Sequence, residues 1–423
     1  MRLFAKRCGW LLIIGVLAAL ILAPQPVWAT FYLHKGDRVV FYGDSITEQR
    51  LYTTDVEVYC ITRFPKLNLS FINAGVGGDR VTGGWAGPID LRLKRDVFPY
   101  KPSVVTIMLG MNDGGYRPFD ENLFNTYRTG YEHIIASLKK HLPGVRITLI
   151  EPSPFDDITR APGWTGGYNG VLLRYCRFVR QLARREKLAV TNFNTPVVDA
   201  LKKAVASNAT LAQKIVPDRV HPAPGGHLIM AAALLKTWGA PSRVSSVSID
   251  VANHHVKTDN ANIRDLTIAP NTLSWRELDG SLPMPIDLSD PVTALAVNSS
   301  DVIQELNQQP LKVEGLAEGD YRLAMDGVDL GTYTSSDFAQ GINLAMIADN
   351  PNVKQAAAVQ NLAVEQTNIE FIRWRSIQIP LQNVKSRYLT RALSDLQKLE
   401  FRTISKEQRA AQPIWRMITI SKV

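Results

Sequence analysis

The stretch RVVFYGDSI, residues 38–46, places an apolar run directly before the polar triplet Gly43-Asp44-Ser45. A short run rich in β-branched and aromatic residues predicts a buried strand from Arg38 to Tyr42, and the glycine after it predicts a turn. Ser45 would then follow the carboxyl end of the strand. In open parallel sheets ligands bind at this edge, so the stretch predicts a fold class and the place of a site together.

The same pattern recurs up to about Trp238. Further strand-like runs are Leu69 to Asn73, Val104 to Leu109, Val145 to Ile150 and Ala189 to Phe193. Between them, Asn122 to His141 and Val171 to Lys187 carry apolar residues at helical spacing, with Lys and Arg towards their ends. Strands that alternate with helices predict an α/β fold, in which a parallel sheet is covered by helices on both faces.

Three further motifs lie next to these elements. Asn73-Ala74-Gly75-Val76-Gly77-Gly78 and Gly110-Met111-Asn112-Asp113 each follow a predicted strand. Asp218-Arg219-Val220-His221 lies in a proline-bounded loop before a helix predicted from about Gly225 to Trp238. With Ser45, the motifs supply a hydroxyl, two candidate oxyanion donors, a carboxylate and an imidazole, which are the groups that acyl transfer to serine requires.

The ordered motifs resemble those of the SGNH hydrolases, also called the GDSL esterase family, over about residues 37–238. The resemblance implies a flavodoxin-like α/β/α sandwich and a serine esterase. It also implies roles for individual residues: Ser45 as nucleophile and oxyanion-hole donor, Gly78 and Asn112 as further oxyanion donors, His221 as general base and Asp218 as its orienting partner. The first motif reads Gly-Asp-Ser-Ile where the family name implies leucine, which changes only an apolar neighbour.

Elementary chemistry supports these residue types. A serine hydroxyl is a poor nucleophile near neutral pH and needs an imidazole to take its proton. A carboxylate on the other ring nitrogen sets the tautomer of that imidazole. Each motif also has a structural alternative: Ser45 could cap a helix, the glycines could build a tight turn, Asn112 and Asp113 could form an Asx turn, and Asp218 and His221 could be a surface pair. Their joint order favours the catalytic interpretation.

Other site classes lack their signatures in this sequence. We find no His-Glu-x-x-His, no metal-binding cysteine spacing and no phosphate loop, so we predict neither a metal nor a cofactor. There is no Gly-x-Ser-x-Gly, which argues against an α/β-hydrolase. Gly75 and Gly77 begin a dinucleotide-binding pattern, but Arg80 stands where its last glycine belongs.

Substrate contacts are expected from loops around the site. Candidates are Asp44, Arg80, Trp85, Tyr116 and Trp164. Exposed aromatic rings could stack on sugars, although aromatic side chains in glycine-rich loops also pack such loops down. No long apolar stretch suggests a lipid tunnel. We therefore expect a short acyl group, acetyl on a carbohydrate, with short-chain lipid esters as the alternative.

The N-terminus has the pattern of a signal peptide. Arg2, Lys6 and Arg7 precede an apolar run from Trp10 to Ala23, and Val27-Trp28-Ala29 would be the cleavage site. We predict a signal peptide over residues 1–29 and export to the periplasm or outside the cell. An uncleaved membrane anchor is the alternative, although the run is shorter than the ~20 residues that span a bilayer.

Positive charge is concentrated at the C-terminus. The formal net charge is +9, and residues 385–423 contain nine Lys or Arg against Asp395, Glu400 and Glu407. Such a tail could contact an anionic envelope surface or an acidic polymer, or could be a solvated helix face. No nucleic-acid-binding motif accompanies the charge, so we do not expect nucleic acid as a partner.

The length of 423 residues suggests more than one domain. We predict a hydrolase domain over residues 30–242 and a C-terminal accessory domain over 243–423, first β-rich and then helical. Its predicted strands are Val244 to Val251, Ile263 to Ile268, Leu273 to Leu278, Leu311 to Val313 and Tyr321 to Met325, with helices over Val353 to Phe371 and Leu389 to Phe401. It could bind glycan, cover the cleft, mediate oligomerisation or simply pack against the hydrolase.

Two questions stay open at this level. Cys60 and Cys176 lie in predicted helices and could form one disulfide or remain two buried thiols. The sequence favours an exported serine esterase over a non-catalytic envelope glycan-binding protein on the same fold, because every side chain that the chemistry needs is present.

Overall fold

The computed structural model describes residues 31–423 of the chain. The predicted signal peptide, residues 1–29, lies outside the described residues. Within the described part, no helix combines the length and the apolar character needed to cross a membrane.

A five-stranded parallel sheet positions the predicted site. The strands of the first part of the chain are β1 (Arg38–Gly43), β2 (Ser70–Gly75), β3 (Gly83–Gly84), β4 (Gly87–Pro88), β5 (Val104–Met108), β6 (Arg146–Glu151) and β7 (Ala189–Asn192). The sheet has the order β2-β1-β5-β6-β7, and β3 and β4 form a separate small ladder. This order is the flavodoxin-like one, so the predicted α/β fold is confirmed.

The helices of this part flank the sheet strands in sequence. They are α1 (Ser45–Glu48), α2 (Leu51–Arg63), α3 (Ile89–Asp96), α4 (Glu121–His141), α5 (Gly167–Glu186), α6 (Asn194–Ala212) and α7 (Pro224–Thr237). The two long helical patterns in the sequence correspond to α4 and α5. The helix predicted from about Gly225 corresponds to α7. It begins one residue earlier, at Pro224, because proline is favoured as the first residue of a helix.

Burial explains why the strands are apolar throughout. Every residue of β5 is buried, and in β1 only Arg38 is exposed. Strands covered on both faces read as continuous apolar runs. Tyr42 of β1 is in register with Ala74 of β2 on one side and with Ile107 of β5 on the other. The chain passes from β1 to β2 on one side and then crosses back to β5 on the other side of β1. Such a reversal of strand order places a crevice at the carboxyl ends of the strands.

The C-terminal part is β-rich, as the sequence predicted, and its strands form two further sheets. Its strands are β8 (Ser246–Asp250), β9 (His255–Asp259), β10 (Ala261–Ala269), β11 (Thr272–Asp279), β12 (Pro310–Glu314), β13 (Asp320–Met325), β14 (Val328–Thr334), β15 (Ile342–Asn343) and β16 (Arg416–Lys422). One sheet has the order β10-β11-β16-β13-β14 and the other β15-β12-β8-β9.

Helices complete the C-terminal part. They are α8 (Pro291–Asn298), α9 (Val302–Leu306), α10 (Ser335–Gln340), α11 (Pro351–Phe371) and α12 (Arg387–Ala410). A short 3₁₀ helix covers Leu344–Met346, and a π-helical segment, Ile372–Gln378, continues α11. Another short 3₁₀ helix, Phe98–Tyr100, lies in the first part of the chain, between α3 and β5. The helix predicted from Leu389 to Phe401 is thus longer at both ends.

The basic C-terminus is folded into the protein. Strand β16, which the sequence analysis did not predict, pairs with both β11 and β13. Its Ile418 and Ile420 are buried. Apart from Lys422 at the end of β16, the exposed basic side chains lie upstream, at Lys385, Arg387, Arg391, Lys398, Arg402, Lys406 and Arg409. Most of the excess charge therefore lies on α12 and the turn before it.

The C-terminal part also packs against the part that contains the parallel sheet. Residues 31–423 group into one compact unit. The main apolar core includes Met284, Val302 and Val359 together with residues of the parallel sheet. The predicted boundary at residue 243 stays a prediction. Cys60 and Cys176 are both buried and free, so they form no disulfide.

Candidate active site

Ser45 lies where β1 ends and α1 begins. Asp44 caps the helix, and its carboxylate accepts a hydrogen bond from the Ile46 N–H at 3.1 Å. Ser45 is the first helical residue, and N–H groups in the first turn have no acceptor within the helix. Asp44 is buried, and burial raises its pKa to about 7. The sequence suggested Asp44 as a substrate contact. In the structure its carboxylate is a buried helix cap next to Ser45.

His221 and Asp218 approach Ser45 from the loop before α7. The Nε2 atom of His221 lies 2.8 Å from Ser45 Oγ, and its Nδ1 atom lies 2.6 Å from Asp218 Oδ2. Since an ionised carboxylate only accepts hydrogen bonds, Nδ1 carries the proton and Nε2 is left to accept one from Ser45. The three side chains form a continuous hydrogen-bonded chain.

The Asp218 carboxylate is also held by its own loop. Its Oδ1 atom accepts the backbone N–H groups of Val220 at 2.9 Å and His221 at 2.7 Å. Partial burial opposes ionisation, but these bonds and the His221 ring outweigh it, so the pKa of Asp218 is lowered. The carboxylate therefore stays ionised at neutral pH, although its side chain is 55% exposed.

His227 is the other histidine close to this region, and it has a structural environment. Its Nδ1 atom accepts the Tyr52 N–H at 3.3 Å, and its Nε2 atom pairs with Gln49 Oε1 at 3.0 Å. Burial, with a smaller effect from His221, lowers the pKa of His227 to about 3. A neutral, fully buried ring with both nitrogens engaged packs behind the site.

The two candidate oxyanion donors follow β2 and β5. Gly78 has a φ of +78°, which glycine adopts at little cost. Asn112 donates one amide hydrogen to the Asp79 carbonyl at 3.0 Å, and its Oδ1 atom accepts the Tyr116 hydroxyl at 3.0 Å. The second amide hydrogen of Asn112 remains for a ligand, because the two bonds already made fix the orientation of the side chain.

Buried charges that sequence analysis missed anchor the loop after β2. The Arg92 Nε atom lies 2.7 Å from Asp79 Oδ2, Arg92 also pairs with Asp96, and all three side chains are fully buried. Arg92 Nη2 donates to the Ala74 carbonyl at 2.8 Å. Asp79 directly follows Gly78, and this position was the only feature of the sequence that could have indicated a role for Asp79 near the site. Nothing in the sequence connects it with Arg92 on α3.

The predicted substrate contacts are spread around the rim. Arg80 is exposed, and Trp85 and Tyr116 expose 57% and 43% of their surface. Trp85 donates its indole N–H to the Gly77 carbonyl at 2.9 Å. Trp164 instead packs at 6.5 Å from the Tyr168 ring. Trp85 and Tyr116 therefore contact the two oxyanion-donor segments directly, whereas the contact of Trp164 is with another aromatic side chain.

The described residues offer no metal-binding cluster of three or more His, Cys, Asp or Glu side chains. The chemistry present at the site consists of a hydroxyl, an imidazole, a carboxylate and neutral N–H donors. Together these groups can activate the hydroxyl and bind a developing oxyanion.

Comparison with known proteins assigns part of the chain to a family. Residues 41–229 match the GDSL-like lipase/acylhydrolase family. Residues 41–229 form a domain of that family. The GDSL domain is a carboxylic ester hydrolase, and the family match spans all four motifs quoted from the sequence.

Individual proteins are similar to all or part of this chain. An acetylxylan esterase from Geobacillus stearothermophilus is 27% identical over 224 residues, covering 48% of this chain and 94% of the relative. The crystal structure of an acetylxylan esterase from the same organism aligns with 49% of this chain and 96% of its own, with a TM-score of 0.40 and 23% identity. The structure of a gut microbial diltiazem-metabolizing enzyme aligns with 92% of this chain and 98% of its own, with a TM-score of 0.79 and 25% identity. The C-terminal part therefore recurs together with the GDSL domain in another enzyme.

Proposed function

We propose that this protein is an exported serine esterase that removes short acyl groups, acetyl above all, from carbohydrate. The observation that carries the proposal is the hydrogen-bonded chain from Ser45 Oγ through His221 to Asp218. In the proposal a backbone donor, Gly78, and an amide donor, Asn112, on the segments that follow β2 and β5, bind the oxyanion. These are the parts that acyl transfer needs.

In the first half of the proposed reaction, Ser45 Oγ attacks the ester carbonyl carbon while its proton passes to His221 Nε2. Asp218 stabilises the imidazolium that forms. The N–H groups of Ser45 and Gly78 and the Asn112 amide bind the oxyanion of the tetrahedral intermediate. The intermediate collapses, the C–O bond to the alcohol breaks, and the alcohol leaves with the proton from His221.

In the second half, water attacks the acyl-Ser45 ester and gives a proton to His221 Nε2. The same donors bind the second oxyanion. Collapse breaks the bond to Ser45 Oγ, which takes the proton back from His221, and the carboxylic acid is released. Atoms and protons balance, and the enzyme returns to its starting state without a cofactor.

Three observations support a small acyl group on a polar alcohol. The side chains of the proposed site are polar and hydrogen-bonded: His221 bonds to Ser45, and Tyr116 bonds to Asn112. The acetylxylan esterase relative matches over nearly its whole length. Exposed Trp85 and Tyr116 provide aromatic surface of the kind on which sugar rings stack.

Export and surface contact belong to the same proposal. The pattern of residues 1–29 supports export through a cleaved signal peptide, with retention as a membrane anchor if cleavage fails. The exposed basic side chains of α12 support contact with an anionic envelope surface or acidic polymer. Such contact would weaken with salt, whereas ester hydrolysis would change little.

The decisive experiment is hydrolysis of p-nitrophenyl esters from acetate to octanoate by the mature protein and by Ser45→Ala. We expect turnover that favours acetate and is lost in the variant. Acetate release from acetylated xylan then tests the carbohydrate. Equal rates for both proteins would exclude Ser45 as nucleophile and make a glycan-binding role the better hypothesis.

A further inference from the structure

The loop that carries Gly78 is packed against a segment almost 300 residues later in the chain. Trp374 and Ile379, in and just after the π-helical segment, form a small buried cluster with Val76 and Ala86. The Trp374 indole N–H donates to Asp96 Oδ1 at 2.6 Å. π-Helical turns occur often at functional sites. Here the segment contacts the oxyanion loop from outside the GDSL domain.

Arg375 of this segment contacts α1, the helix that begins at Ser45. Its Nε atom lies 2.5 Å from Glu48 Oε1, and the two side chains are 24% and 18% exposed. Glu48 lies on α1, one helical turn after Ser45. The other carboxylate oxygen of Glu48 accepts the Gly77 N–H at 2.6 Å. One carboxylate therefore joins Arg375 to the residue that precedes Gly78.

Arg375 also contacts the second side chain that holds Gly77. Its guanidinium lies over the Trp85 ring, 4.1 Å from the ring centroid, and Trp85 donates to the Gly77 carbonyl at 2.9 Å. A cation over an indole face is an attractive arrangement. Both backbone polar groups of Gly77 are thus bound by side chains that themselves contact Arg375.

The Gly77 carbonyl and the Gly78 N–H belong to the same peptide unit. A peptide unit is planar, and in the trans form its C=O and N–H point in opposite directions. The bond from Trp85 to the carbonyl therefore sets the direction of the Gly78 N–H. Glycines at positions 75, 77 and 78 leave this loop with few conformational restraints of its own. The restraint comes instead from Glu48, Trp85 and Arg375.

We infer that Arg375 is a positioning residue for ester hydrolysis: through Glu48 and Trp85 it holds the Gly77–Gly78 peptide so that the Gly78 N–H points at the oxyanion. The inference rests on the proposed function and extends it to the C-terminal part of the chain. It gives that part a role in catalysis beyond packing, and it gives Trp85 a positioning role besides any sugar contact.

The test compares the full-length mature protein with Arg375→Ala, Arg375→Lys and Trp85→Phe. Lysine keeps a charge for Glu48 but loses the planar stack, and phenylalanine keeps a ring for Arg375 but loses the indole donor. A matched control is Arg264→Ala, since Arg264 lies over the Trp415 ring at 4.2 Å in the C-terminal part. The readouts are kcat and KM for p-nitrophenyl acetate, the rate of Ser45 labelling by a fluorophosphonate, and thermal unfolding.

We expect Arg375→Ala to lower kcat and the labelling rate by about 10- to 100-fold, less than the ~100- to 1000-fold cost of removing an oxyanion donor outright. KM should change by less than about threefold, because binding of the ester in its ground state does not use the oxyanion donor. Arg375→Lys should recover part of the loss, Trp85→Phe should fall between Arg375→Lys and Arg375→Ala, and Arg264→Ala should match wild type.

The results that would contradict this inference differ from those that would contradict the proposed function. Wild-type kcat in Arg375→Ala, or an equal loss in Arg264→Ala, would overturn the inference. A rise in KM alone would make Arg375 a substrate contact and would also overturn it. A wild-type protein that neither hydrolyses the ester nor labels at Ser45 would overturn this inference and the proposed function together. Hydrolysis of p-nitrophenyl acetate without release of acetate from any acetylated glycan would overturn only the carbohydrate part of the proposed function.

Discussion

The Nε2 atom of His221 lies 2.8 Å from the Oγ atom of Ser45, although 176 positions separate the two residues. Ser45 is placed by the end of β1 and His221 by the loop before α7. The contact therefore depends on how α7 packs beside the sheet. Single substitutions can test the role of each group of the proposed site.

Replacing Asp218 with asparagine should lower kcat by about 10- to 1000-fold, below the roughly 10,000-fold effect found for a buried triad carboxylate. The smaller effect is expected because the Asp218 side chain is 55% exposed, so water can partly replace it. Since the pKa of Asp218 is lowered, this carboxylate should add no titration to the neutral limb of the pH–rate profile. The profile for p-nitrophenyl acetate checks both points, with exposed Asp199→Asn as control.

Removing the amide of Asn112 should mainly slow the chemical step. In Asn112→Ala we expect kcat to fall about 100- to 1000-fold with little change in KM. Tyr116→Phe removes the hydroxyl that holds Asn112 Oδ1 and should cost less than about 10-fold. Steady-state kinetics measure both variants. An Asn112→Ala enzyme with wild-type kcat would show that the amide does not bind the oxyanion.

Gly78 and Gly144 provide a matched pair. Their φ angles are +78° and +81°, and a Cβ atom added to either would meet no other atom within 4 Å. Alanine at either position should therefore lower the free energy of unfolding by about 1 to 2 kcal/mol, from backbone strain alone. Only Gly78→Ala should also lower kcat, because relief of that strain would turn its N–H. Urea unfolding and kinetics on both variants separate strain from catalysis.

Glu407 on α12 makes stability depend on pH. Neither of its carboxylate oxygens has a hydrogen-bond partner within the described residues. Burial raises its pKa from 4.5 to about 8, and Glu57 on α2, which has its own pKa raised, faces it. The folded protein thus binds more protons than the unfolded chain between these two values. The free energy of unfolding should fall as pH rises through this window, by at most about 1.4 kcal/mol per pH unit for one group.

Glu407→Gln should flatten this dependence. Urea unfolding of wild type and variant at several pH values from about 5 to 8.5 measures the slope, and exposed Glu318→Gln is the control. An unchanged slope in Glu407→Gln would mean that Glu407 does not titrate in this window. The dependence would then come from other carboxyl groups whose pKa values burial raises, among them Asp44, Glu57, Glu370 and Glu400.

The local sequence was enough to predict most of the first part of the fold. Buried parallel strands need apolar residues on both faces, so their runs stand out from the helices between them. The four motifs were recognisable for a similar reason, because each combines a turn with polar groups next to a strand or helix. The C-terminal strand β16 was missed, although Ile418 and Ile420 alternate with more exposed neighbours. A single short strand whose partners, β11 and β13, lie far back in the chain is difficult to separate from a charged tail.

The amino-acid sequence thus determined the chemical groups of the site and the elements that carry them, because apolar periodicity and turn residues act over a few positions. Tertiary structure decided which distant groups meet. Three contacts could not be predicted from any local pattern: Arg92 with Asp79, Glu48 with Arg375, and Asn73 with Glu370. Such contacts depend on how helices pack against the sheet and on burial, which removes competing water and makes each charge and N–H group require a partner.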